Sequence, residues 1–419
     1  MSPRWADADY AFPAAGLDCF LLWAADLSAS DVSFQTGAPA FIEIDGVLRR
    51  ATGARLDGIV MGRLCARIFD GIPSDGSIPS VGSIPSDGNT PPGGGTPSGG
   101  STPSGGGTAE GILRSGRAID CSYAVASGPR EYRRFRCNLS PVLAGQRFGI
   151  NITMRVLPDT PPTLEELGIE PEIAGAWDLC RGLTLVTGVP GSGKSTLLAA
   201  GTRRLLESGA GRVQSYEAPI EFVFDGIAGD GALMSSSEVP RHFPSFADGL
   251  RASLRRRPAA VIVGEARDRE TVEAVIRAAD FGIAVFATAH TVGVAAAIRR
   301  LLAEFPADER HERGAALIDV MTLVVTQMLL PNPRGGRTAI REWLHFDGAL
   351  KATLMEAPLE RWSALIAEAV RETGNDLAAS AERAFRDGRI SEADRRRLAA
   401  AAAGSPIGGR RRKQSQDLY

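Results

Sequence analysis

Four short clusters of polar residues in the second half of this 419-residue chain have the types and spacing that chemistry needs. The first is Gly188-Val-Pro-Gly-Ser-Gly-Lys194-Ser195, which fits the pattern G-x-x-x-x-G-K-[ST] between an apolar run and an amphipathic one. In such a loop the glycines let successive backbone N–H groups turn onto a phosphate, and the following helix adds a partial positive charge. The expected ligand is ATP with Mg²⁺, cradled by Gly188, Gly191, Ser192, Gly193, Lys194, Ser195 and Thr196. Lys194 bridges the β- and γ-phosphates in this reading, and the Ser195 hydroxyl ligates the metal.

The other three clusters supply groups that could act on a bound triphosphate. Val261-Ile-Val-Gly264-Glu265 ends a buried apolar run, with a glycine where many P-loop proteins carry a metal-linked Asp. Glu265 is then expected to supply the carboxylate near the metal, through water. Ser215-Tyr-Glu217-Ala-Pro-Ile-Glu221-Phe places two carboxylates about a proline-stiffened turn, and either could orient and deprotonate an attacking water. Ala287-Thr288-Ala-His290-Thr291 follows another apolar run, and His290 could contact the γ-phosphate or report its loss.

The elements that must position these clusters alternate. Leu183-Thr-Leu-Val-Thr, Pro258-Ala-Ala-Val-Ile-Val-Gly and Ala284-Val-Phe-Ala-Thr-Ala read as buried strands. Between them lie helices over 195–208, closed by Gly209, around Phe246, Leu250 and Leu254, and over 270–279 with Val272, Val275 and Ile276 inward. Such alternation predicts a mainly parallel sheet with helices on both faces, an α/β RecA-like P-loop domain whose ligands sit at strand C-termini. Upstream the pattern is different. Residues 31–35, 40–48 (turning at Asp45-Gly46), 118–125, 132–139 and 148–156 alternate apolar and polar side chains, which predicts an α+β domain rich in antiparallel strands. A Ser/Pro/Gly-rich stretch at 72–107 interrupts that domain and lacks the apolar surface to offset its ordering entropy. The expected organisation is an N-terminal domain over 1–157 carrying the insertion 72–107, a linker at 158–164, an ATPase domain over 165–355, and a helical region with a basic tail over 356–419.

Composition bounds the rest. With 44% hydrophobic and 23% charged residues and a net charge of −2, the chain reads as globular, with no overall pull toward nucleic acid or acidic lipid. Five scattered cysteines read as reduced thiols in a cytoplasmic protein. Neither a signal peptide nor a membrane-spanning apolar run is expected, so membrane association would be peripheral.

Together the four clusters resemble those of the PilT/GspE-type secretion ATPases, which carry a Walker A, an "Asp box", a Walker B ending in Gly-Glu and a "His box" in this order. Here they stand as GVPGSGKST at 188–196, SYEAPIEF at 215–222, VIVGEARD at 261–268 and TAHT at 288–291. Ala29-Ser-Asp-Val, Gly37-Ala-Pro and Ile44-Asp-Gly-Val-Leu-Arg-Arg are similar to the family's N-terminal PAS-like domain, and Thr163-Leu-Glu-Glu-Leu-Gly to the opening of its motor domain. The form of the Asp box, the Ser237–Phe246 segment and Gly264-Glu-Ala-Arg-Asp look most like the DotB/TraJ branch, which serves type IVB secretion and conjugative transfer. By this resemblance Glu221 is the catalytic glutamate, Glu265 the Walker B glutamate and His290 the His-box residue. Arg136 and Arg155 match the arginines that reach the nucleotide phosphates from the N-terminal domain. It further implies a homohexamer, cytoplasmic and peripheral at the inner membrane, joined to an inner-membrane secretion complex and driven by domain rotation.

Three features depart from the family: the insertion at 72–107, Ala218 in place of an Asp of the Asp box, and Ile283 in place of a histidine before the last strand. Ala218 and Ile283 motivate an alternative, a nucleotide-binding scaffold without hydrolysis; a pilus-retraction motor is the other. Arg251, Arg255, Arg256 and Arg257 form a basic patch, but without stacking aromatics it does not predict direct nucleic-acid binding.

Overall fold

The computed structural model describes residues 16–402, except 45–46, 71–107, 129–130, 158–159, 179–180, 225 and 228. The insertion, the basic tail and the Asp45-Gly46 turn therefore lie outside the described residues. The chain divides into two compact units, 1–159 and 160–419.

In the first unit, α1 (Leu17–Asp26) leads to β1 (Asp31–Gln35), β2 (Phe41–Ile44) and β3 (Val47–Arg50). Then come α2 (Gly58–Cys65, extended by a wider turn to Asp70), α3 (Ala109–Arg114), β4 (Ile119–Gly128), β5 (Glu131–Ala144) and β6 (Arg147–Leu157). The strands form one antiparallel sheet in the order β3-β2-β1-β6-β5-β4, so the first and last strands meet at its centre. Alternation decides the faces. Val32 and Phe34, Phe135, Cys137 and Leu139, and Ile150, Ile152 and Met154 turn inward against Leu17, Phe20, Met61, Leu64 and Leu113 of the three helices. Arg136 and Arg155, of opposite parity, are direct cross-strand partners on the other face.

The second unit begins with α4 (Pro171–Ala174), β7 (Gly182–Thr187), α5 (Lys194–Glu207), β8 (Gly211–Glu217) and β9 (Ala232–Glu238). It continues through α6 (Phe246–Ser253), β10 (Ala260–Val263), α7 (Arg269–Asp280), β11 (Ala284–Ala289), α8 (Val294–Ala303), α9 (Arg310–Val320), β12 (Met321–Pro331) and β13 (Arg337–His345). Four helices close it: α10 (Gly348–Glu356), α11 (Leu359–Glu372), α12 (Leu377–Arg386) and α13 (Glu392–Ala402). Its sheet runs β13-β12-β7-β11-β10-β8-β9, all parallel save β13. Apolar layers cover both faces, one built on α6, α7, α8, α9 and α11, the other on Trp177 and α5. The C-terminal helices belong to this unit: Trp362 and Ile366 of α11 join the first layer, and α12 and α13 pack with β13.

One contact shows how closely α5 is seated. Trp177, 2% exposed, stacks on Phe286 of β11 at 5.3 Å, and its ring lies against Gly201 of α5. A Cβ at Gly201 would come within 1.8 Å of that ring. Gly201→Ala, which in an open helix would gain up to about 1 kcal/mol, should instead destabilise the second unit by about 1–3 kcal/mol through overpacking. Urea unfolding of the two proteins checks this; a stabilised variant would mean the indole is free to move.

Candidate active site

The G-x-x-x-x-G-K-[ST] segment joins the C-terminal end of β7 to the N-terminus of α5. Gly188, Gly191 and Gly193 take φ values of 146°, 76° and 85°, a region that side chains resist. The loop is also held from behind. Gln327 of β12 donates through Nε2 to the Ser192 carbonyl at 2.7 Å, and its Oε1 accepts from Arg341 Nε of β13 at 2.8 Å. Arg341 is 3% exposed; it pairs with Glu170 at 3.0 Å and donates to the Gly168 and Leu167 carbonyls. A buried guanidinium is tolerated only when its donors are spent in this way.

Lys194 stands at the head of α5, 7% exposed. Its Nζ donates to the Gly188 and Val189 carbonyls at 2.9 and 3.1 Å and lies 3.3 Å from His290 Nδ1. Burial pushes the ammonium's pKa down, and the charges of Glu265 and Glu221 act against that shift. Lys194, Glu265 and Glu221 thus share one electrostatic environment. His290 links two of them: its Nε2 lies 3.4 Å from Glu265 Oε1. An ammonium has only donors, so a hydrogen bond between the two needs Nδ1 of His290 as the acceptor from Lys194.

Strand order explains the meeting. β11 lies between β7 and β10, so its C-terminal residues Thr288–His290 emerge between Lys194 and Glu265. The Thr288 hydroxyl donates to the Gly264 carbonyl, and Ala266 N–H donates back to the Thr288 carbonyl at 2.8 Å. The glycine in place of the Walker B Asp has a steric reason. Gly264 N–H donates to the Tyr216 carbonyl at 2.7 Å, and a Cβ there would meet that oxygen and Glu217 Cα at 3.2 Å each. On the far side, Glu238 of β9, 3% exposed, accepts from Ile220 N–H at 3.4 Å and so holds the loop that carries Glu221.

Ser195, Ser215, Glu217, Gly264 and Thr288 line one small cavity of about 30 Å³ beside these groups. Among the described residues, the buried hydroxyls without a hydrogen-bond partner are those of Ser192, Ser215 and Thr291. One stands in the P-loop, one in the Asp box and one in the His box. Buried hydroxyls are seldom left unpaired, and this grouping suits a ligand rich in oxygen. Ser195 and Glu265 are hard oxygen donors of the kind Mg²⁺ takes.

In the first unit, Arg155 pairs with Asp31 at 3.0 Å and is otherwise open to solvent, while its neighbour Arg136 is half-buried. The sheet brings these two arginines together. Ala218 is exposed on the Asp-box turn. Ile283 is 8% exposed and packs in the core before the N-terminal end of β11, the end away from Lys194. Gln327, Arg341 and Glu238 were not foreseen; the signal for the first was a Thr-Gln pair inside an otherwise apolar run, Met321–Leu330.

The chain is similar to several known proteins. The family described as "Type II/IV secretion system protein" matches residues 125–334, half of the chain. The ATPase DotB of Legionella pneumophila superposes with a TM-score of 0.81 at 34% identity, over 96% of this chain and 100% of that one. The pilus retraction motor PilT with bound ADP gives 0.69 at 25% identity, over 90% and 95%. The type IV pilus retraction ATPase PilT of Pseudomonas aeruginosa is 36% identical over 223 residues, 53% of this chain and 63% of that protein. Three curated relatives, that one included, are matched over 60–65% of their own length. The chain belongs to the Type II/IV secretion system protein family.

Proposed function

We propose that this chain hydrolyses ATP to ADP and phosphate and uses the reaction to drive a type IVB or conjugative secretion system. The observation that carries the proposal is the convergence on Lys194 of the P-loop carbonyls, His290 and the charges of Glu265 and Glu221. A triphosphate offers Lys194 stronger acceptors than the two carbonyls it now holds, so the ammonium turns onto the β- and γ-phosphates. Glu221 takes the proton from the attacking water, and Glu265 with His290 orders the γ-phosphate side of the site. Ser195, and Glu265 through water, hold Mg²⁺, which when bound offsets charge on the phosphates.

Arg136 and Arg155, adjacent on the open face of the first unit, supply further cationic contacts to the phosphates. The working assembly is a homohexamer in which hydrolysis swings one unit against the other about the 158–164 linker. It acts at the cytoplasmic face of the inner membrane, attached to a membrane secretion complex. Among the described residues no helix is long and apolar enough to cross a membrane, so attachment runs through partners. The full-length superposition on DotB supports the type IVB reading. Similarity to PilT favours a second reading, retraction of a type IV pilus. The scaffold reading loses ground because Ile283 is a core residue away from the site. Loss of secretion or conjugative transfer on deleting the gene, with surface motility intact, separates the first two.

Lys194→Ala should lower phosphate release at saturating ATP by about 100-fold or more; turnover near the parent rate would sink the proposal. Glu221→Gln should cut turnover by about 10²–10⁴-fold and leave ATP affinity within a few-fold. An equal loss of affinity would make Glu221 a nucleotide-holding group rather than a base. Sedimentation velocity with Mg²⁺ and ATP should show a hexamer, and a monomer at every concentration would remove the ring.

A further inference from the structure

The other end of the same sheet carries a feature that hydrolysis does not use. Arg255 and Arg256 lie in the single helical turn after α6, Arg257 follows them, and β10 begins at Ala260. Arg212 stands at the start of the neighbouring strand β8. These positions meet at the N-terminal ends of β8 and β10, whereas Glu217 and Glu265 stand at the C-terminal ends. The four arginines, with Gln214, Leu233 and Ser235, line a pocket of about 290 Å³. The sequence grouped Arg251 with this patch, but Arg251 is taken up by Asp248 at 2.9 Å. Arg212, 45 residues upstream of Arg257, takes its place.

Some arginines of this unit have a carboxylate partner close by, as Arg204 has in Asp178 and Arg269 in Glu309. Arg212, Arg255, Arg256 and Arg257 have none among the described residues. Neutral groups orient two of them: Arg256 donates to the Tyr216 hydroxyl at 2.6 Å, and Arg212 to the Arg256 carbonyl at 3.4 Å. Tyr216 is itself anchored, 0% exposed and donating to Gln214 Oε1 at 3.1 Å. Arg257 is kept at φ 48°, ψ 60°, a conformation with a steric cost for a residue bearing a Cβ. Four like charges around one concavity repel, and a multivalent anion relieves that repulsion. Guanidinium groups set around a small pocket suit the tetrahedral oxygens of a phosphate.

We propose that this pocket is a second anion site, which binds a compact phosphate-bearing group distinct from the ATP held at the P-loop. Its size suits a phosphate with a small attached group, such as a lipid headgroup or a soluble phosphoester. A nucleic-acid strand would call for an extended groove and stacking rings, and the residues lining this pocket are not aromatic.

The test uses the full-length protein with its P-loop saturated by ADP and Mg²⁺. Inorganic pyrophosphate is titrated by calorimetry, and phosphatidylcholine vesicles with and without phosphatidylglycerol are tested by co-sedimentation. Arg212→Gln/Arg255→Gln, two exposed side chains outside the ATP site, should bind at least about tenfold more weakly, with unchanged ATP turnover and thermal midpoint. Binding should also fall steeply with salt. Capture only by phosphatidylglycerol vesicles assigns the lipid headgroup, and binding of pyrophosphate assigns a soluble phosphoester. Binding of neither probe, equal binding by the double variant, or tighter arginine-dependent binding of a single-stranded DNA oligonucleotide would overturn the proposal.

Discussion

The buried ammonium of Lys194 is the interaction on which the rest of the second unit depends. A lysine at 7% exposure loses most of its hydration, and the fold replaces it with two P-loop carbonyls and the His290 ring. That replacement requires two separate chain segments, the P-loop and the turn carrying His290, to end at the same place. The parallel sheet arranges this by putting β11 between β7 and β10. Each strand then delivers its own motif, and the hydrogen bonds between Thr288, Gly264 and Ala266 keep the two inner strand ends in register.

Behind this front the same constraint is met by a second layer. The P-loop must hold its backbone in conformations that only glycine adopts readily, so its shape is over-determined from outside. Gln327 does this through the Ser192 carbonyl, and Arg341 orients Gln327 while holding the 167–170 segment. The first residues of the unit after the linker are in this way tied to the phosphate-binding loop by two buried side chains. A short run of hydrogen bonds joins the loop to that segment.

How much of this was legible depended on range. The P-loop, the Glu217–Glu221 turn, Glu265 and His290 could be found because each is a local pattern at the end of a predicted strand. The α/β alternation was legible for the same reason, as was the antiparallel alternation of the first unit. Strand β9 was not, since Ala-Leu-Met-Ser-Ser-Ser-Glu has little apolar content and forms only on the edge of an existing sheet. The membership of the basic patch was misread because residue neighbours are not spatial neighbours: Asp248 removes Arg251, and strand pairing brings in Arg212.

The sequence by itself determined the chemistry available: a phosphate-binding loop, two acidic turns, one histidine and the strands that carry them. Backbone geometry over a few residues is enough for that, because glycine spacing and apolar periodicity act locally. Only the tertiary structure decided which groups touch. The order of strands in a sheet depends on burial of whole faces, and it placed His290 between Lys194 and Glu265. It also set Gly264 tightly against the Tyr216 carbonyl and Glu217 Cα, where the sequence showed only a missing Asp. The Gln327–Arg341 brace spans 135 and 174 residues of chain, a separation at which no local pattern carries information.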